Sequence, residues 1–269
     1  MAFFRSGRPE LVRVGEEASR AAPRRRENPD PLEKLRWMSA LLDAAAADGG
    51  RLNVIEGGCG RVRRYPLTVP VHVTGVDIAE ESTTGSSYCD EIVIADLERF
   101  SPKTDHYDAA VLWDVLEHLS NPRAAIDNLA SGLRPGGLFV IAGPNPQAAR
   151  SFVTRHTPHW VHIAYRRFVA RDRNAGRPGF PPFKTYLRAA AGPDALARHF
   201  ESDGWTIVLW VEYAAVEVNN LRKSSFLMAF CYQLFEKFMS LIWGRDSSLS
   251  EFYLVAKKSD PAAVDPQKI

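Results

Sequence analysis

The chain has 269 residues, of which 45% are hydrophobic and 25% charged; that supplies the core of one α/β domain with insertions and excludes a disordered or fibrous protein. Its 34 Lys and Arg stand against 32 Asp and Glu, so no net charge argues for a nucleic-acid partner. The three cysteines, Cys59, Cys89 and Cys231, are widely spaced and form no CxxC pair. Neither a disulfide framework nor a zinc site is expected, and the expected compartment is the reducing cytoplasm.

Residues 1–30 are rich in Arg, Glu, Ala and Pro and lack the apolar core of a signal peptide, which predicts a flexible basic lead-in. The domain proper is expected over 31–260, followed by a short tail at 261–269. From Leu32 to Ala47 the residues Leu32, Leu35, Met38, Leu41 and Leu42 recur at helical spacing, and Gly49-Gly50 stops the run. Leu52-Asn-Val-Ile-Glu56 then reads as a strand entering the tight turn Gly57-Gly58-Cys59-Gly60. Val71 to Asp77 and Glu91 to Asp96 read as strands that each end in an acid, and Tyr107 to Trp113 as a fourth strand followed by a helix through Asn128 and Leu133. Gly136 to Ala142 is the fifth strand; Trp205 to Glu212 and Phe252 to Lys257 are the last two. Strands alternating with helical patterns predict a doubly wound, Rossmann-like α/β sheet of about seven mostly parallel strands.

In such a sheet a ligand sits outside the carboxyl ends of the strands. Glu56 can accept from an ammonium group, and glycines 58 and 60 let a ligand approach the backbone. A carboxylate at Asp77 suits the two hydroxyls of a ribose, and Asp96 with Leu97 suits an adenine amino group and ring face. Trp113-Asp-Val-Leu-Glu-His-Leu119 follows the fourth strand, and Leu133-Arg-Pro-Gly-Gly-Leu138 introduces the fifth.

With these motifs in order, residues 50–145 resemble the class I S-adenosylmethionine-dependent methyltransferases, particularly the small-molecule branch with an Asp-Val-Leu-Glu-His motif. The resemblance implies S-adenosyl-L-methionine as cofactor and S-adenosyl-L-homocysteine as product. It implies that Glu56, Gly57, Gly58, Cys59 and Gly60 cradle the methionine part, that Asp77 and Ile78 hold the ribose side, and that Asp96 and Leu97 frame the adenine. Trp113 and Asp114 would line the floor by the sulfonium, and His118 would face the acceptor as general base, a task its near-neutral titration suits. Where the family continues with another Gly and a full helix, this chain has Arg61-Val-Arg-Arg-Tyr-Pro66, and only a turn or short helix fits. A rival reading is a nicotinamide-dependent oxidoreductase, since Gly58-Cys-Gly60 with Asp77 satisfies part of a dinucleotide fingerprint; its third Gly would fall at Arg63. A second rival is a non-catalytic scaffold that keeps the cofactor pocket.

A cap insertion is expected over 146–200. From Arg150 to Arg188 it carries nine Arg or Lys and a single acid, Asp172, interleaved with aromatics. That pattern suits an anionic or lipid-like small-molecule acceptor or an anionic membrane surface, as well as a plain solvated face. No nucleic acid is expected, because no binding module is recognised. His156, His159 and His162 step by three, with no Cys, Asp or Glu beside them and Pro158 between. No metal is expected there, but His159 and His162 stand with His118 as candidate acceptor-binding or catalytic groups. In a second, apolar helical insertion over 214–249, Leu227, Phe230, Cys231, Leu234, Phe235, Phe238, Leu241 and Ile242 form a helical stripe opposed by Gln233, Glu236, Lys237 and Ser240. Core packing, a homodimer face and a peripheral membrane contact all account for such a stripe.

Overall fold

A computed structural model describes residues 25–26, 31–46, 50–169, 171–214 and 226–260. The expected lead-in lies outside the described residues except for Arg25 and Arg26, and the expected tail lies outside them from residue 261.

All seven expected strands form: β2 (Leu52–Gly57), β3 (Val71–Asp77), β4 (Glu91–Ile94), β5 (Tyr107–Trp113), β6 (Leu133–Pro144), β7 (Thr206–Tyr213) and β8 (Glu251–Lys257). A two-residue β1 (Arg25–Arg26) pairs parallel with Val211 and Glu212 of β7. The sheet order is β1-β7-β8-β6-β5-β2-β3-β4. Among the described strands only β8 runs antiparallel, against both β6 and β7.

Period-two alternation sorts the strand side chains onto two faces. Val54, Ala109, Val111, Leu138, Val140 and Val255 pack on one face against Met38 and Leu42 of α1 (Pro31–Ala45). Ile55, Ala110, Leu112, Phe139, Ile141 and Leu254 pack on the other, under α3 (Pro122–Ser131) and α6 (Pro193–Ser202). Because both faces are covered, the central strands read as continuous apolar runs rather than alternating ones.

After β5 the chain makes only a short 3-10 turn, Leu116–His118, before α3 begins. The helix expected to run directly from the motif is interrupted, because Asn121 caps α3, accepting from the Ala124 amide at 3.4 Å, and Pro122 occupies its first turn. A four-residue α2 (Glu80–Thr83) follows β3. The cap holds α4 (Ala149–His156), α5 (His159–Ala164) and a π-helical turn, Tyr165–Val169. The long helix of the second insertion is α7 (Phe226–Trp243), and no described helix is long and apolar enough to cross a membrane.

Of the three accounts of the α7 stripe, core packing holds for Phe235, half-buried against Phe152, and not for most of the others. Leu227, Leu234, Phe238 and Leu241 are exposed, whereas Glu236 and Met239 are buried. Ser240 Oγ donates to the Glu236 carbonyl within the helix and accepts from the Ser247 amide just past its end, and the face turned to the protein carries Ala229, Glu236 and Met239 while Gln233 and Lys237 are exposed.

Candidate functional site

The sheet reverses direction of growth between β2 and β5: from β2 the chain moves outward to β3 and β4, then returns to lay β5 on the other side of β2. That switch point opens a crevice at the carboxyl ends of both strands. A cavity of about 1040 Å³ lies there, with a smaller one of about 190 Å³ beside it.

The glycine turn is built by close packing as much as by conformation. Gly57 lines neither cavity; a Cβ on it would lie 2.6 Å from Leu112 and 2.9 Å from Leu97, so its absence lets β2 sit against the leucine that lines the crevice. Gly58 has φ +65°, and a Cβ there would meet Val115 at 2.4 Å. Gly60 also has positive φ and faces open space. The turn is pinned to β3 because Asp77 accepts from the Gly60 amide at 3.2 Å. The expectation that no full helix fits after Gly60 holds: residues 61–70 form bends and loop.

Glu56, Gly58, Cys59, Gly60 and Trp113 line the smaller cavity. Glu56 is buried and accepts from the Tyr65 hydroxyl at 2.9 Å. Desolvation pushes its pKa up to about 7 despite that bond. Asp77, Ile78, Asp96, Leu97, Trp113, Asp114 and His118 line the larger cavity, together with Gly58 and Gly60. Every expected cofactor residue except Gly57 is therefore brought to one crevice. Asp77 and Asp96 stand at the ends of neighbouring strands. Ile78, an aliphatic side chain 73% exposed, forms part of the rim between them.

At the floor, Trp113 packs edge-on against Tyr253 (ring centroids 5.3 Å apart) and parallel to Tyr65 (6.3 Å). Asp114 has φ +53°, a left-handed conformation costly for a non-glycine residue and one that clusters at functional sites. Its carboxylate pairs with Arg64, and its amide donates to the Ala142 carbonyl at 2.9 Å.

Beyond Asp114 the cavity changes character. Glu117 is 7% exposed, and its Oε2 makes no hydrogen bond. Its backbone carbonyl accepts from the Tyr186 and Leu187 amides, which fixes the cap over it. Desolvation, reinforced by the nearby Asp114 charge, pushes its pKa up to about 8, so near neutrality it is mostly the neutral acid. His118 Nδ1 lies 2.8 Å from the Lys184 carbonyl, which assigns the ring proton to Nδ1 and leaves Nε2 able to accept one. Burial lowers the His118 pKa, favouring the neutral ring. Nε2 lies 3.7 Å from Glu117 Oε1. Arg150, Arg166, Phe183, Thr185, Tyr213 and Glu251 complete this end; Arg150 pairs with Glu251 at 2.5 Å and Arg166 with Asp172 at 3.1 Å.

His159 and His162 do not line either cavity. Pro158 separates α4 from α5, so His156 closes one helix and His159 opens the next rather than sharing a helical face. His162 Nε2 is instead 3.4 Å from the Thr154 carbonyl of α4. Sequence reasoning missed Glu117, Tyr65 and Arg64. Glu117 stands inside the quoted motif, but its burial depends on a cap segment some seventy positions downstream.

The profile of a family described as "Methyltransferase domain" matches residues 24–173. No curated protein matches the sequence. Among solved structures, an S-adenosylmethionine-dependent methyltransferase from Archaeoglobus fulgidus is 18% identical with a TM-score of 0.47, the match covering 84% of this chain and 97% of that one. Magnesium protoporphyrin IX methyltransferase from Synechocystis, solved with S-adenosylhomocysteine, is 14% identical with a TM-score of 0.47, covering 84% and 83%. The 1,6-didemethyltoxoflavin-N1-methyltransferase of Burkholderia thailandensis, solved with its acceptor and S-adenosylhomocysteine, is 16% identical with a TM-score of 0.46, covering 84% and 78%.

Proposed function

We propose, from the premise that this chain belongs to the methyltransferase-domain family, that it transfers a methyl group from S-adenosylmethionine to a small-molecule acceptor seated beneath the cap. The observation that carries this reading is the division of one cavity into two chemistries. At one end Asp77 and Asp96 close successive strands beside the glycine-rich turn; at the other His118 and Glu117 share the lining with Phe183 and Thr185.

The first end fits the cofactor. Asp77 can take a ribose diol, Ile78 and Leu97 offer apolar faces to a purine, and Asp96 can accept from its amino group. Glu56 in its ionised form can take the α-ammonium. The sulfonium supplies an already activated methyl carbon, so the protein's work is placement and proton removal. Trp113 and Asp114, locked by Tyr253, Tyr65 and Arg64, form the floor between the two ends. His118 Nε2 accepts the acceptor's proton where one must leave, and Glu117 beside it serves as a hydrogen-bond donor to the acceptor in its neutral form.

The dinucleotide alternative loses support on structural grounds. A pyrophosphate needs the amino end of a helix opening directly from the glycine turn, and residues 61–70 form none.

The proposal is tested by incubating the protein with isotope-labelled S-adenosylmethionine and a cell extract, then separating small molecules from protein and nucleic acid. Label in the small-molecule fraction, lost with His118→Asn, is expected. Label confined to macromolecules would contradict the acceptor class, and cofactor binding without any transfer would favour a scaffold.

A further inference from the structure

Helix α7 rests on the protein by a mixed face that includes Ala229, Glu236 and Met239, and leaves a row of large apolar side chains outward. Leu227, Leu234, Phe238 and Leu241 follow one another at seven, four and three positions, and so share one face of the helix. Their exposures are 68%, 52%, 58% and 82%. A soluble helix ordinarily turns such a stripe inward, and an outward one marks a surface that meets something else.

What it meets is indicated by its surroundings. Helix α4 packs on α7 through Phe152, whose ring lies 6.0 Å from Phe235 and 6.1 Å from Trp243. From α4 the chain passes into a segment where Trp160, Tyr165 and Phe168 are exposed among Arg167, Arg171, Arg173 and Arg177, all exposed too. The one acid there, Asp172, is held by Arg166. On the outward side of α7 the exposed charge is Lys237. Exposed Trp and Tyr with arginines, on the segment that continues from the helix packed against α7, together with an outward apolar row, have the composition of an interface with anionic lipid. A second copy of the chain fits less well, because a two-fold contact would set this arginine-rich edge against an identical one.

We propose that α7 and the aromatic, arginine-rich edge of the cap dock on the surface of an anionic bilayer, with the leucines and Phe238 entering the acyl boundary and the helix lying in the plane of the interface. The same cap segment lines the cavity through Arg166 and Phe183, so docking brings the acceptor end of the crevice to the leaflet. The inference stands on α7 and the cap alone and does not depend on the choice of cofactor.

The test is co-sedimentation of the full chain with phosphatidylcholine vesicles and with vesicles containing phosphatidylglycerol. Binding to the anionic vesicles that weakens with salt is expected, and Phe238→Glu with Leu241→Glu should reduce it at least about tenfold. Both replaced side chains are exposed, and the thermal melt of the variant should match the parent's, which separates loss of docking from loss of fold. A second variant, Arg171→Glu with Arg173→Glu, should abolish the preference for anionic over neutral vesicles. The proposal is overturned by absence of binding to either vesicle, by equal binding of parent and Phe238→Glu/Leu241→Glu, or by a dimer that those substitutions dissociate with no vesicle binding.

Discussion

Gly58 joins conformation, packing and chemistry at one position. Its positive φ already disfavours a side chain, and the Val115 methyl that would meet a Cβ at 2.4 Å belongs to the segment carrying the motif acids. Gly58→Ala is expected to cost about 1–3 kcal/mol of stability through strain and overpacking, read by thermal melting, and to weaken cofactor binding by displacing Val115. Glu56 and Glu117 govern the response to pH. Both have folded pKa values, about 7 and about 8, above the ordinary 4.5. Below 4.5 both folded and unfolded chains hold these protons. Between that value and the folded pKa the unfolded chain releases protons that the folded chain keeps, so stability falls as pH rises. Glu117→Gln should flatten that decline in melts between about pH 5 and pH 8.5 and leave the variant the more stable at the alkaline end. Cofactor affinity should move the other way, rising through neutrality as Glu56 ionises to meet an ammonium, and calorimetry across pH checks it. Asp77 and Asp96 were legible in the sequence because each closes an apolar run. Tyr65 and Glu117 were not, because one lies in a loop without period and the other owes its burial to a distant segment folding over it.

The elements owe their places to a few polar ties. Arg245, just past α7, reaches Asp194 of α6 at 2.5 Å and Glu212 of β7 at 2.8 Å, and Glu212 is fully buried. Arg245→Met would leave a buried carboxylate without its guanidinium, at a cost of about 3 kcal/mol or more, measurable by denaturant unfolding. Strand positions were readable because β-branched and aliphatic runs bounded by Gly, Pro and Asp punctuate the chain. The break between the motif and α3 was signalled by Asn121-Pro122, a cap followed by a first-turn proline, although the apolar pattern alone ran through it. The orientation of α7 was not legible at all. Periodicity reveals that a stripe exists but not which side faces the protein, and Glu236, on the side opposed to the stripe, is among the buried residues.

For the molecule as a whole, topology makes the site: a switch point between β2 and β5 gathers residues from positions 56 to 118 into one crevice, and the cap closes its far end. A ligand that binds only the folded chain adds about 2.7 kcal/mol of stability at a hundredfold excess over its dissociation constant, so cofactor binding should also appear as a raised melting temperature. The most direct measurement is calorimetric titration of the purified chain and its Asp77→Ala variant with S-adenosylmethionine, S-adenosylhomocysteine and the nicotinamide dinucleotides. The parent is expected to bind both sulfur nucleotides and neither dinucleotide, and Asp77→Ala to weaken that binding by about tenfold or more, as loss of a charged hydrogen-bond partner requires. Binding of a nicotinamide dinucleotide in their place, or affinity for S-adenosylmethionine unchanged by Asp77→Ala, would contradict this expectation.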